Sequence, residues 1–209
     1  AAPPPPRVDA ALPPPPLPLP GTNDQPGCPS GEDWRCVEPD ADGYVDEHAP
    51  STVYDNGNLL VGGHGDRDRR NTYVRFPIGL FRNAPRPVEV RLALRLTGVD
   101  YREGPEHVPP PDSQVHAVDP GWVEGTLTFE NAPAPGRLLR QAAINVQPFG
   151  TMTWDLTAFV NDAWGNADEV ALALTVDEGP DRTVSWFFDS REVVDPQGQP
   201  PLLELRFPR

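Results

Sequence analysis

Five apolar residues, Val88, Val90, Leu92, Leu94 and Leu96, alternate with Glu89, Arg91, Ala93 and Arg95. A period of two places one set on each face of a β-strand, so this segment needs a core on one side and water on the other. Val170, Leu172, Leu174 and Val176 repeat the pattern. Shorter strand candidates cover residues 43–46, 59–62, 72–76, 114–118, 151–156, 184–188 and 202–207. Between them lie turn residues such as Asp55-Asn56-Gly57, Gly62-Gly63, Glu178-Gly179-Pro180 and Asp195-Pro196-Gln197-Gly198. One short helix is expected after Asp155, with Thr157 as its cap and Ala158, Phe159, Val160, Ala163 and Trp164 as its apolar stripe. Many short strands and one short helix predict an all-β fold, an antiparallel β-sandwich of jelly-roll type.

Proline sets the other boundary. Residues 1–27, AAPPPPRVDAALPPPPLPLPGTNDQPG, consist largely of Pro-Pro runs that fix φ and remove backbone donors. Polyproline II is the conformation expected of such an arm. It serves either as a spacer or as a stiff rod whose Leu12, Leu17 and Leu19 dock in a groove on this domain or on a neighbouring copy. Proline limits its use as a ladder strand, which favours groove docking over strand donation. Residues 28–40 form a junction holding both cysteines, Cys28 and Cys36, in a polar GCPSGEDWRC segment. They either close a small disulfide loop in an oxidising compartment or remain free thiols. A zinc site lacks a second ligand pair. The sandwich is expected over residues 41–209, enough chain to bury a core.

The formal net charge is −14 and the pI about 4.5. Such a chain repels phosphate backbones and anionic lipid, so nucleic acid is not an expected partner. No apolar run approaches the roughly 20 residues that cross a bilayer, so membrane insertion is not expected either. Met152 is the only methionine, and the chain starts Ala1-Ala2-Pro3. Small residues there suit a signal-peptidase cut, which predicts a secreted or cell-surface protein, although a removed expression tag leaves a similar start.

Catalytic signatures are missing from the sequence: there is no Gly-x-Ser-x-Gly elbow, no Cys with a clear His partner and no Gly-rich phosphate cradle. Glu124 with Glu130 is a glycosidase-like carboxylate pair of the kind any acidic protein offers. His48, His64, His107 and His116 follow no metal-ligand spacing. Structural calcium is a better expectation, with Asp42, Asp46, Asp55 and Asp189 near strand ends. No other cofactor is expected. For stacking on a sugar ring the aromatic candidates are Tyr44, Tyr54, Tyr73, Tyr101 and Trp186, of which Tyr54 and Tyr101 lie in polar, turn-rich surroundings. Trp154, Trp164 and Phe159 are expected in the core. The one dense basic patch is Arg67, Arg69, Arg70 and Arg75, interleaved with Asp66 and Asp68.

Several segments, in order, resemble a known family. They are ADGYVDEHAPSTVYDNGNLLVGG, NTYVRFPIG, VEVRLALRLTG, GWVEGTLTFENAP, TMTWDLTAFVNDAW, VALALTV and SWFFDSREVVDPQGQPPLLELRF. Together they resemble the DNRLRE-type module, a secreted β-sandwich also classed as carbohydrate-binding module family 96. The likeness runs over roughly residues 40–208, and residues 122–133 and 188–192 are its most specific pieces. Trp122 and Phe129 read as anchors of a long crossing loop, and Arg191 as the partner of a carboxylate.

The resemblance implies a non-catalytic role. The leading expectation is a module binding extracellular polysaccharide or acting as a cell-surface adhesive. The acidity of the chain disfavours a polyuronate such as alginate, leaving a neutral glycan or a protein neighbour. The alternative is a structural subunit of an extracellular filament or surface assembly, a homo-oligomer in which the arm docks on the next copy.

Overall fold

The computed structural model describes residues 25–55, 57–64, 69–101, 112–144, 150–176, 183–195 and 197–209, with backbone only at 63, 64, 101 and 183. The arm with Leu12, Leu17 and Leu19 therefore lies outside the described residues, as do Arg67 and the side chain of Tyr101.

Eleven strands are formed among the described residues. They are β1 (Trp34–Val37), β2 (Ala41–Asp46), β3 (Asn58–His64), β4 (Arg70–Pro77), β5 (Glu89–Tyr101), β6 (Asp112–Val118), β7 (Leu138–Ala143), β8 (Thr151–Asp155), β9 (Glu169–Val176), β10 (Thr183–Asp189) and β11 (Leu202–Arg206). All pairings are antiparallel, and the sheet runs β1-β11-β5-β10-β3-β4-β9-β6-β7, with β2 on β4 and β8 on β5. The sheet curls until its two halves face each other, joined where Gly62 of β3 meets Arg70 of β4. Leu92, Leu94 and Leu96 of β5 share one core with Val74 and Phe76 of β4, Leu172 and Leu174 of β9, and Trp154 and Trp186. This is the antiparallel sandwich that the alternation predicts, built as one curled sheet.

Two strands were not expected. β1 falls in the supposed junction, where Val37 enters the main core, Trp34 and Cys36 are covered on the opposite face, and the backbone pairs with β11. Cys28 and Cys36 are joined by a disulfide with a Cα–Cα distance of 5.9 Å, which ties residue 28 to β1. β7 is mostly exposed and is held by pairing with β6 rather than by burial, so its sequence carries no alternation to read.

The helix, α1 (Thr157–Ala163), buries Val160, and Trp164 follows it into the core. Phe159 packs against that core while only partly buried. Thr157 does not cap the helix. It is the first helical residue, and the Asp155 carboxylate accepts from its backbone N–H (2.9 Å) and its hydroxyl (2.6 Å). Leu156 occupies the N-cap position, and Asp155, one residue before it, supplies the side-chain acceptor for the first helical N–H.

A smaller apolar cluster lies on the other face of the β2-β4-β9 half, where Ala41, Val45, Tyr73 and Ala173 meet Trp122 and Leu127 of the crossing loop. That loop explains why β9 is buried on both faces. Trp122 is an anchor, as expected, with its ring edge-on to Tyr73 (6.1 Å) and under the Arg75 guanidinium (5.5 Å).

Candidate functional site

The crossing loop, β2 and the end of β10 converge on Asp42. This residue has no exposed surface. Its backbone N–H donates to Glu124 Oε1 at 3.0 Å, and its Oδ2 accepts from the Arg191 N–H at 2.8 Å. The Arg191 guanidinium then grips Glu124 through Nε (3.1 Å) and Nη2 (2.5 Å) and reaches the Asp40 carbonyl at 3.0 Å. Its Nε also lies 2.6 Å from Glu192 Oε1. Asp42, Glu124 and Glu192 each bring a carboxylate oxygen within 4.8 Å of the others. Burial pushes the Asp42 carboxyl up to about 8, against the pull of the Arg191 N–H, and the charges of Glu192 and Glu124 act in the same upward direction.

Arg191 is thus the carboxylate partner its sequence context predicts. Both oxygens of Glu124 are engaged by it, which sets this member of the Glu124–Glu130 pair in a structural clamp. The four aspartates expected to share calcium are not brought together. Asp46 binds Arg70 (2.8 Å) and the His48 N–H, and Asp189 binds Arg95 (3.0 Å) and the Gln199 N–H. Asp55 faces Gly125. Of the four, only Asp42 belongs to the acidic cluster found among the described residues. Glu192 was read in sequence only as part of the Ser-Arg-Glu segment. Its neighbours come from segments far apart in the chain, so spacing alone carried no signal of a cluster.

The second surface feature is an open cleft of about 330 Å³ over the outer face of β2, β4 and β9. Asn71 and Thr175 form part of its floor, and the crossing loop supplies one wall with Phe129 and Pro133. Arg69 lines it as well, with its guanidinium 5.9 Å from the Phe129 ring centre and paired to Glu47 at 3.0 Å. A wider recess of about 820 Å³ lies beside β5 and β11. No aromatic ring lines that recess, and the nearby Trp34 ring is already covered by Arg91 and Arg206.

Of the sugar-stacking candidates, Tyr73 and Trp186 are each only 1% exposed and are core residues. Tyr73 is roofed by the crossing loop, its hydroxyl donating to the Pro133 carbonyl at 3.0 Å. Trp186 points inward by strand parity. Tyr44 and Tyr54 are half-buried and stacked on each other at 4.4 Å. Arg69, Arg70 and Arg75 of the basic patch each hold an acidic partner, so the patch offers little net positive field.

A curled antiparallel sandwich with a long loop laid across one face, leaving an open cleft beside an aromatic ring, has the architecture of a β-sandwich carbohydrate-binding module. The family model of carbohydrate-binding module family 96 matches residues 34–204, and the chain belongs to that family. No curated protein matches the chain. No helix among the described residues is long and apolar enough to cross a membrane.

Proposed function

We propose that this protein is a secreted, non-catalytic module that binds extracellular polysaccharide in the cleft between the crossing loop and the outer face of β4 and β9. The observation that carries this reading is the lining of that cleft: Phe129 offers an apolar ring, and Asn71, Thr175 and Arg69 offer hydrogen-bonding groups around it. A pyranose presents an apolar face and a rim of hydroxyls, and such a lining complements both. The disulfide agrees with an oxidising, extracellular setting. Because Arg69, Arg70 and Arg75 each hold an acidic partner, neutral chains are favoured over polyuronates, and a role as a surface adhesive follows from the same binding.

Affinity electrophoresis through gels cast with a panel of neutral polysaccharides and alginate tests the proposal. Retention by at least one neutral polysaccharide, weakened by Phe129→Ala and Arg69→Ala, is expected. Tyr54→Ala and Tyr101→Ala report whether the other aromatic candidates contribute. Failure to be retained on any gel in the panel overturns the reading.

The second reading, a subunit of an extracellular filament, draws on the arm, whose Leu12, Leu17 and Leu19 punctuate a proline-rich sequence. It predicts large species by light scattering that disappear when residues 1–27 are deleted. Self-association unchanged by the deletion removes it.

A further inference from the structure

Arg191 satisfies most of the acidic cluster but not all of it. Asp42 Oδ1 and Glu192 Oε2 are both buried and have no hydrogen-bond partner among the described residues. They are the oxygens left over once the Arg191 and Asp42 N–H groups have taken theirs. A fully buried carboxylate oxygen without a donor is costly, because its desolvation is not offset. With Asp42 ionised, three carboxylates and one guanidinium leave two negative charges uncompensated in this corner of the fold. The Asp42 carboxyl is faced by the Glu192 and Glu124 carboxylates, with the Arg191 backbone N–H as its donor and no second cationic side chain beside it among the described residues.

We infer that Asp42, Glu192 and Glu124 form a binding site for one divalent cation of the calcium class, which would lock the crossing loop to β2 and to the end of β10. The donor set consists of hard carboxylate oxygens, the type calcium selects, with no nitrogen or sulfur ligand that would favour zinc or copper. Calcium–oxygen distances of about 2.3–2.6 Å allow two oxygens on one ion to be at most about 5 Å apart. The 4.8 Å limit on the three donors falls within that span. One divalent ion neutralises the two excess charges and gives Asp42 Oδ1 and Glu192 Oε2 the partner each lacks. Arg191 keeps its role of holding Glu124 in place, and water completes the coordination shell. None of the three carboxylates lines the cleft at Phe129, and the inference does not depend on glycan binding.

The test uses the full chain, stripped with chelator, and calcium chloride as the probe. Isothermal titration calorimetry is expected to show one calcium per chain, and thermal melts a Tm that rises with calcium, at affinities near the ~0.1–1 mM of extracellular modules. Asp42→Asn and Glu192→Gln are each expected to weaken binding by about tenfold or more while the apo protein stays folded by circular dichroism. Should Asp42→Asn fail to fold, the partly exposed Glu192→Gln carries the test. A wild-type chain that shows neither heat nor a Tm shift, as when Asp42 and Glu192 merely share a proton, overturns the inference. Wild-type affinity in both variants overturns it too, by placing the ion elsewhere.

Discussion

Arg95 Nη1 donates to Asp189 Oδ2 at 3.0 Å, in an ion pair whose side chains are only 9% and 4% exposed. The same Asp189 oxygen accepts the Gln199 N–H at 2.9 Å, so one carboxylate joins β5, the end of β10 and the loop leading to β11. Removing Asp189 deprives the buried Arg95 guanidinium of this partner. Asp189→Ala is expected to cost about 3–5 kcal/mol in urea unfolding, whereas Arg95→Met with Asp189→Leu recovers most of that loss. A loss below about 1 kcal/mol for Asp189→Ala would show that water reaches the pair.

Gly62 is the residue where the two halves of the sheet join, and its φ is +148°. A Cβ at this position would lie 2.7 Å from the Ser185 Cα, against the backbone of the neighbouring β10. Both the conformation and the collision with backbone oppose any side chain. Gly62→Ala is expected to destabilise by more than about 2 kcal/mol in chemical denaturation, and a neutral effect would mean that β3 and β10 separate easily.

Glu204 lies in β11 opposite Cys36 and Arg91, nearly fully buried, with Oε2 lacking a hydrogen-bond partner among the described residues. Burial raises its carboxyl above the ordinary glutamate range, with Arg91 opposing and Glu89 assisting the shift. The folded state therefore holds this proton more tightly than the unfolded state. Stability falls as pH rises from the ordinary glutamate value through the raised folded value, and the ionised group is a liability above it. Glu204→Gln is expected to melt higher than wild type at neutral pH, with the difference shrinking in acid. An equal gain at both pH values would remove ionisation as the cause.

The Cys28–Cys36 bridge closes a loop with a sequence separation of 8. Chain-entropy arguments give such a short loop about 2–3 kcal/mol of stabilisation. Because Cys36 is buried beside Ala93 and Leu202, reduction is expected to loosen β1 along with the loop. Unfolding with and without reductant measures the first effect, and amide exchange across Trp34–Val37 the second. Unchanged exchange there would show that pairing with β11 alone secures the strand.

Much of the fold was legible because alternation is a local property. Val90, Leu92, Leu94 and Leu96 have an inward face whatever they pack against, and nine of the strands carry enough of that signal to be seen in the chain. β1 and β7 do not. β1 is four residues long, and β7 is recruited by the free edge of β6, so neither depends on its own pattern. At the helix start the accepting oxygen belongs to Asp155 and not to Thr157 for a similar reason: which oxygen reaches the first free N–H is settled by the backbone bend, which spacing does not reveal. Among the aromatic candidates, the polar, turn-rich setting of Tyr54 already sets it apart from Tyr73 and Trp186, which burial places in the core.

The sequence by itself determined the architecture and its family, through strand periodicity and the two signature segments around Trp122 and Arg191. It also identified Arg191 as the partner of a carboxylate. Tertiary structure alone decided which carboxylate, because Asp42, Glu124 and Glu192 are separated by up to 150 residues and become neighbours only when the loop crosses the sheet. Electrostatic partners are chosen by distances of a few ångströms, and those distances exist only after the apolar faces have closed the sandwich.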